Sequence, residues 1–376
     1  MPRDSTDVQA HRFVSADVAR CLGIFLVYHG HIVERMMYLG QDAAAHQYKF
    51  IYSFHMPLFF VLAGCIAKDL GADHTLWRFL RSRVVTRVLP LVFFNLLLAL
   101  TSLVIPRDFP PIPLESVADY GNALVMSLTW LTVFNVPTWF LMCLVTVEVV
   151  HFVLFRFVRQ STLAIALLAA GCLVLGLWFN RDLAFFPGQN WWFWNEAPVA
   201  YAFYLFGIVM RRIGLFDRNW PREIAALGAV LAFAGVYFSY DLNQGPFRLD
   251  IKAVVILASG HGDLIWFTVT SVLGICGTIA LAQAFGRHLG WMSYVGRNAL
   301  IIFCLNGIFY HHVNGPVAAS YVGAAPQDGW TLAIFAGAAS IVSIALTIPV
   351  VILFNRWVPQ LVGQPQREGP LLPRLG

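Results

Sequence analysis

DVARCLGIFLVYHGH, at residues 17–31, decides the fold class of this chain. It belongs to an apolar segment, 14–33, and about 20 apolar residues in a helix are enough to cross the hydrocarbon core of a bilayer. Asp17 and Arg20 are three residues apart on one helical face, where they can neutralise each other. Ionisable side chains are costly in a bilayer, so this segment predicts a transmembrane helix that carries a functional site.

The same apolar unit recurs along the chain. Of the 376 residues, 59% are hydrophobic and only 12% are charged, whereas a soluble domain has about 25% charged residues. The segments are continuously apolar rather than alternating, which favours helices over the strands of a barrel. The sequence therefore predicts an all-α polytopic membrane protein with about ten transmembrane helices. The predicted spans are 14–33, 50–68, 85–105, 137–157, 162–180, 193–210, 222–240, 263–285, 298–313 and 331–354, and the stretch 114–131 is predicted to be an interfacial helix.

Lysine and arginine set the expected orientation, because cytoplasmic loops carry an excess of them. With the first residues in the cytoplasm, 18 of the 25 Lys and Arg residues fall in cytoplasmic loops, six fall in the opposite loops, and Arg20 lies inside the first span. Both termini are then cytoplasmic, with one integral domain at 14–355 between segments 1–13 and 356–376. The net charge of +5 belongs to this topology, so we expect the lipid bilayer as a partner and no nucleic acid.

The cysteines and the outer histidines give little sign of a metal site. All six cysteines lie in predicted spans without metal-ligand spacing, so we interpret them as packing residues. His311 and His312 fall at the outer end of the ninth span, where we expect headgroup water. No Glu or Cys at ligand spacing accompanies them, so no metal is expected.

Three histidines in the first two spans are the main candidates for chemistry. From Arg20 to His31 is 11 residues, or ~16 Å along a helix axis, so His31 lies toward the outer end. His55, on the next antiparallel span, falls at a similar depth and could meet His31 around one cavity. His29 lies two residues from His31, on a different face of the helix. Histidine titrates near neutrality and can exchange a proton with a hydroxyl. A structural role is the alternative for His31 or His55 taken alone.

Arginines crowd the start of the third span in RFLRSRVVTRVLP, at 78–90. Arg83 and Arg87 share a helical face, and guanidinium groups suit phosphates. The alternative is cytoplasmic topology together with anionic lipid headgroups, which explains Arg81 better than it explains Arg87. Two buried polar residues are weaker candidates: Glu148, which needs a partner or a proton, and Asn306, which suits an interhelical hydrogen bond.

Together these stretches resemble the membrane-bound acyltransferase-3 family, a group of bacterial carbohydrate O-acyltransferases. Asp17, Arg20 and His31 fit its first-helix signature of an acid, a basic residue three positions on, and a histidine. SFHMPLFFVLAG, at 53–64, is similar to the second-helix signature centred on His55.

Later segments extend the resemblance. Arg87, three residues before a proline, is similar to the arginine that opens the family's third helix, and VPTWFLMCL, around Trp139, resembles its Trp-Phe-Leu helix start. YVGRNALIIFCLN and FNRWVPQLVG are similar to its closing segments. The chain departs from the family at Cys21 and Ala63, and at Asn306, where many members have a histidine.

The resemblance implies a reaction and roles for these residues. The family is thought to take an acyl group, usually acetyl, from cytoplasmic acyl-CoA and to pass it to a hydroxyl of a glycan or lipid-linked sugar at the bacterial inner membrane. His31 would be the general base or a transient acyl carrier, and His55 would orient it or stabilise charge. Arg20 and Asp17 would help to hold the donor. The implied phosphate-binding residues are Arg81, Arg83 and Arg87.

Two other functions compete with this hypothesis. A proton-coupled transporter could use the same buried groups. Many transporters contain inverted repeats, but this sequence shows no such repeat, because its polar residues concentrate in the first three spans. A non-catalytic partner in glycan export is the second alternative.

Overall fold

A computed structural model of the chain describes residues 5–67, 75–110, 112–181, 190–216, 218, 220–249, 251–285, 289–324 and 328–375. These residues form fifteen α-helices, and their sole β-type pairing is an isolated bridge between Val255 and Gly260. The helices are α1 Ser5–Tyr38, α2 Asp42–Tyr52, α3 His55–Cys65, α4 Leu76–Arg83, α5 Leu89–Val104, α6 Val117–Thr129, α7 Trp139–Val158, α8 Thr162–Arg181, α9 Ala197–Arg212, α10 Arg222–Ser239, α11 Leu264–Phe285, α12 Gly290–Arg297, α13 Ala299–Ile308, α14 Asn314–Ala324 and α15 Gly329–Trp357.

The all-α class is confirmed for the described residues. Six helical stretches are long and apolar enough to cross a membrane, and a bent pair, Gly290–Arg297 with Ala299–Ala324 at 71°, would make a seventh. The six are Val14–Tyr38, Leu76–Val104, Val136–Val158, Arg222–Leu242, Leu264–Phe285 and Gly329–Trp357. The count of ten spans, the cytoplasmic termini and the interfacial position of α6 stay predictions.

The second predicted span, 50–68, is not one continuous helix. The chain leaves helical geometry at Phe54, between α2 and α3. Pro57 has no N–H to donate to the carbonyl of Ser53, four residues earlier, and that carbonyl accepts a hydrogen bond of 2.7 Å from the Ser271 hydroxyl on α11 instead. This break makes His55 the first residue of α3.

A second proline shapes the third span. Pro90 cannot donate to the carbonyl of Thr86, and the preceding residues Val84–Val88 form a π-helical turn in which the Leu89 N–H bonds to the Val84 carbonyl. This turn joins α4 to α5 and carries Arg87.

The first helix is the most deeply enclosed of the long helices. In Val14–Tyr38, 78% of an apolar stretch of 18 residues is buried inside the protein, compared with 50% for the corresponding stretch of Val136–Val158. Helices α2, α3 and α11–α15 all pack on α1. The ionisable side chains of α1 from Asp17 to Arg35 are therefore largely surrounded by protein.

Glycines allow neighbouring helices to approach closely. A Cβ atom at Gly207 on α9 would lie 2.0 Å from the Val61 carbonyl oxygen, and one at Gly64 on α3 would lie 1.9 Å from the Tyr204 carbonyl oxygen. Helices with small residues at their contact pack backbone to backbone in this way. The α3–α9 pair therefore depends on both glycines to hold α3 in place.

We predict that Gly207→Ala lowers the free energy of unfolding by about 1–3 kcal/mol, because an added methyl group must push two backbones apart. The measurement is thermal unfolding in detergent micelles. Gly228→Ala on α10 is the control, because a Cβ there meets nothing within 4 Å, and the change should be neutral or stabilising by up to about 1 kcal/mol. Equal unfolding midpoints for the two variants would contradict the close approach.

Candidate active site

A cavity of about 240 Å³ contains both candidate histidines. We call it the histidine cavity. Helices α1, α2, α3 and α7 and the loop before α11 contribute its walls. Its lining includes His31, Glu34, Tyr38, Tyr48, Tyr52, His55, Met56, Trp139, Ile256 and Tyr310.

His31 is accompanied by a carboxylate that the sequence analysis did not single out. His31 Nδ1 lies 3.5 Å from Oε2 of Glu34, one turn further along α1. Among the described residues, neither of these two atoms has a hydrogen-bond partner, and Glu34 is only 7% exposed. A proton on Nδ1 would therefore face the carboxylate and leave the Nε2 lone pair on the other side of the ring.

Glu34 was not predicted as a site residue because the predicted first span ends at residue 33, whereas α1 continues to Tyr38. With the longer helix, the spacing H-x-x-E puts both side chains on one face.

His55 is fixed in one tautomer by the backbone. Its Nδ1 lies 3.0 Å from the carbonyl oxygen of Ile51. A carbonyl only accepts, so Nδ1 carries the proton and Nε2 has the lone pair. His55 is 1% exposed, and Tyr52 packs against its ring at 4.5 Å between centroids.

Tyrosines supply the remaining polar groups of the histidine cavity. Tyr48 and Tyr52 stack with ring centroids 3.8 Å apart, and Tyr310 meets the ring of His31 edge-on at 4.6 Å. Their hydroxyls can donate hydrogen bonds, and donors in a largely buried site can stabilise a developing negative charge. No sequence motif had singled out these tyrosines.

The ion pair predicted within the first span is present. Arg20 donates to Asp17 Oδ1 at 2.6 Å. Arg20 also lines a second cavity of about 280 Å³, here called the passage cavity, together with Arg87 and Arg297.

Neighbouring residues of the same two helices line the passage cavity and the histidine cavity. Phe59 and Phe140 line the passage cavity, whereas Met56 and Trp139, on the same two helices, line the histidine cavity. Phe303 completes an aromatic cluster, with ring centroids 5.7 Å from Phe140 and 6.2 Å from Phe59. All three rings line the passage cavity.

Glu148 has two charged partners for one of its carboxylate oxygens. Its Oε1 accepts from Arg83 at 2.9 Å and lies 3.5 Å from Arg87. Arg81 points elsewhere: it lines a third cavity of about 920 Å³, the basic cavity, together with Arg78. The arginine group suggested by the sequence is thus divided between an ion pair and an open cavity.

The remaining candidates lie outside the histidine cavity. His29 faces a lateral apolar groove beside Gln47, whose Oε1 is 3.5 Å from His29 Nε2. Asn306 is fully buried and is not part of the lining of the histidine cavity. Within the described ranges, no group of three or more His, Cys, Asp or Glu side chains is arranged to hold a metal ion.

The expectation that His311 lies in headgroup water is wrong. His311 is fully buried, accepts from the Val136 N–H at Nε2 (3.2 Å) and donates from Nδ1 to the Phe109 carbonyl (2.6 Å). A π-helical segment, Phe309–Val313, turns it inward. It fastens two loops rather than facing water.

Comparisons with known proteins agree with these motifs. A family model described as an acyltransferase domain matches residues 13–351, so the chain belongs to the acyltransferase-3 family. Over 112 residues the chain is 31% identical to the nodulation protein NolL of Mesorhizobium japonicum, a match that covers 29% of this chain and 28% of that protein. No solved structure matches the chain.

We predict that Glu148→Gln destabilises the protein, because it leaves two arginines without a counter-charge. The side chains of Arg83 and Arg87 are 27% and 23% exposed, so we expect a loss of about 2 kcal/mol, less than the 3–5 kcal/mol typical of a fully buried pair. Thermal unfolding measures it, with Glu223→Gln at the exposed start of α10 as the control. An unchanged midpoint for Glu148→Gln would show that the pair does not stabilise the fold.

Proposed function

We propose that this protein is a membrane-embedded O-acyltransferase that moves a short acyl group, acetyl in the simplest case, from cytoplasmic acyl-CoA to a hydroxyl of a cell-envelope carbohydrate or lipid-linked sugar. The bacterial inner membrane is its proposed location. The observation that carries the proposal is the arrangement of His31, Glu34 and His55 around one cavity. Membership of the acyltransferase-3 family supports the reaction class.

His31 is the proposed general base. Its Nε2 takes the proton of the acceptor hydroxyl, and the oxygen attacks the thioester carbonyl carbon. The C–S bond then breaks, and the imidazolium returns the proton to the sulfur of CoA. Glu34 stabilises the imidazolium that forms in between, as a carboxylate beside a catalytic histidine does elsewhere.

The other cavity residues have supporting roles in this mechanism. The Nδ1 proton of His55 is committed to the Ile51 carbonyl, so its Nε2 can accept a hydrogen bond from a second hydroxyl of the acceptor and orient the acceptor while His31 takes the proton of the reacting hydroxyl. The hydroxyls of Tyr48, Tyr52 and Tyr310 are the candidates to stabilise the oxyanion of the tetrahedral intermediate.

The donor approaches from the arginine-rich side. The positive charge of Arg20, Arg87 and Arg297 draws the anionic donor toward the passage cavity, whose apolar walls suit the pantetheine arm. The thioester reaches the histidine cavity once the cluster of Phe59, Phe140 and Phe303 admits it. A cavity of about 240 Å³ favours a short acyl chain.

The acceptor approaches from the opposite side, where a loop covers the histidine cavity. Residues 254–257 line that cavity, and the loop is held by a hydrogen bond of 2.9 Å from the Ser259 hydroxyl to Glu196. The cavity offers both ring faces and hydroxyls, a mixture that matches the surface of a sugar.

Inverted membrane vesicles that contain the protein test the proposal. They are given [1-¹⁴C]acetyl-CoA, and the assay follows free thiol and alkali-labile label in the glycan and glycolipid fractions. We predict that His31→Gln lowers both by at least about 100-fold, the usual contribution of a general base. His46→Gln, on the exposed side of α2, should retain activity. If wild-type vesicles release no thiol and transfer no label, the enzyme proposal fails in favour of a transporter or an export partner.

We predict that Glu34→Gln lowers kcat about 10- to 1,000-fold with little change in the KM for acetyl-CoA, because the carboxylate stabilises the imidazolium and does not contact the donor. Glu34→Asp, which keeps the charge, should recover part of the activity. A thermal midpoint equal to that of the wild type shows that the variant is folded. An unchanged kcat would remove Glu34 from the mechanism.

A further inference from the structure

One wall of the basic cavity is formed by residues outside the arginine-rich stretch 78–90. One side comes from α4 and α12, with Arg78, Arg81 and Arg297. The opposite side comes from residues 363–367 and Leu375. The sequence analysis had placed those residues in a cytoplasmic tail without a function.

This tail is folded against the helices. We call residues 359–375 the closing segment. Gln360 is fully buried, and its amide donates to the carbonyls of Arg367 (2.8 Å) and Leu372 (2.6 Å). The Leu375 N–H bonds to the Pro365 carbonyl at 3.1 Å. The segment is thus a loop closed on its own backbone.

A chain of side-chain amides joins the closing segment to the membrane helices. Gln364 donates to Asn355 at 2.6 Å, and Asn355 donates to Asn298 at 2.7 Å. Arg81 reaches the Leu375 carbonyl at 3.3 Å and so connects α4 to the same loop. The closing segment, which forms one wall of the basic cavity, is therefore held in place by hydrogen bonds to the helices.

The charge of the basic cavity is one-sided. Its described lining contains four arginines and no acidic side chain; the arginines are Arg78, Arg81, Arg297 and Arg367. The ion pair of Arg374 with Glu368, at 3.6 Å, lies on the closing segment but is not part of this lining. Four guanidinium groups around one solvent-filled space attract a ligand with several phosphates.

The basic cavity and the passage cavity share one residue. Arg297 lines both, so a single extended ligand can have a phosphorylated end in the first and a narrow apolar arm in the second. Coenzyme A has this form. Arg83 and Arg87 are already paired with Glu148, so the arginines of the basic cavity are the better candidates to bind its phosphates.

We propose that the closing segment is part of the donor site, and that Arg367, together with Arg78 and Arg297, binds the phosphates of the 3′-phosphorylated adenosine diphosphate end of CoA. This assignment rests on the proposed use of acyl-CoA as donor. It makes the part of the closing segment that lines the basic cavity, residues 363–367 and Leu375, a ligand-binding element and leaves the pantetheine arm to the passage cavity.

Calorimetric titration of the purified full chain in an uncharged detergent tests the assignment, with CoA, dephospho-CoA and 3′,5′-ADP as the probes. Arg367→Ala should weaken the binding of CoA and 3′,5′-ADP by roughly tenfold or more, as expected for the loss of a charge-assisted hydrogen bond. Arg78→Ala, on a different element, should weaken it similarly. Arg374→Ala is the matched control, and its binding should equal that of the wild type.

Several outcomes would overturn the assignment. The first is an affinity for 3′,5′-ADP that is unchanged in both Arg367→Ala and Arg78→Ala. The second is a loss of affinity in Arg374→Ala as large as that in Arg367→Ala. The third is an anionic phospholipid whose binding depends on Arg367 and excludes CoA. If thiol release from acetyl-CoA is normal and Arg367→Ala binds like the wild type, this inference alone fails. If no thiol is released but 3′,5′-ADP binds in a manner dependent on Arg367, the proposed reaction fails and the nucleotide site stands.

Discussion

In hydrocarbon an ionised side chain is stable only beside a partner, and α1 carries such side chains near both ends of a largely buried helix. At one end Arg20 pairs with Asp17 at 2.6 Å. At the other, His31 lies beside Glu34, and Arg35 reaches Asp108 of the loop after α5 at 2.5 Å. The helices that surround α1 shield these groups from lipid, and the cavities form along it.

The arginines differ in their roles because a buried charge needs a partner. Arg83 and Arg87 lie next to a buried carboxylate, Glu148, and their first role is to neutralise it. Arg87 still lines the passage cavity. The arginines of the basic cavity have no such acid in its lining and are therefore the better candidates for phosphate binding.

The parts of this arrangement that could be predicted were local in sequence. Continuous apolar segments gave the helices, the three-residue spacing gave the Asp17–Arg20 pair, and the equal depth of His31 and His55 suggested one cavity. The parts that could not be predicted depend on long-range contacts or on exact helix ends. Glu34 lay one residue beyond the predicted end of its span, and the contact of His311 with Val136 joins residues that are 175 positions apart. The folded closing segment depends on amides that have no periodic pattern.

The most direct test of the central claim is affinity labelling with bromoacetyl-CoA, an analogue that places an electrophilic carbon close to the thioester position. The labelled protein is digested and the modified residue is identified by mass spectrometry. We predict alkylation of His31, suppressed by excess CoA and absent when the analogue is replaced by bromoacetamide at the same concentration. Alkylation confined to residues outside the histidine cavity, or labelling of His31 that CoA does not suppress, would contradict it.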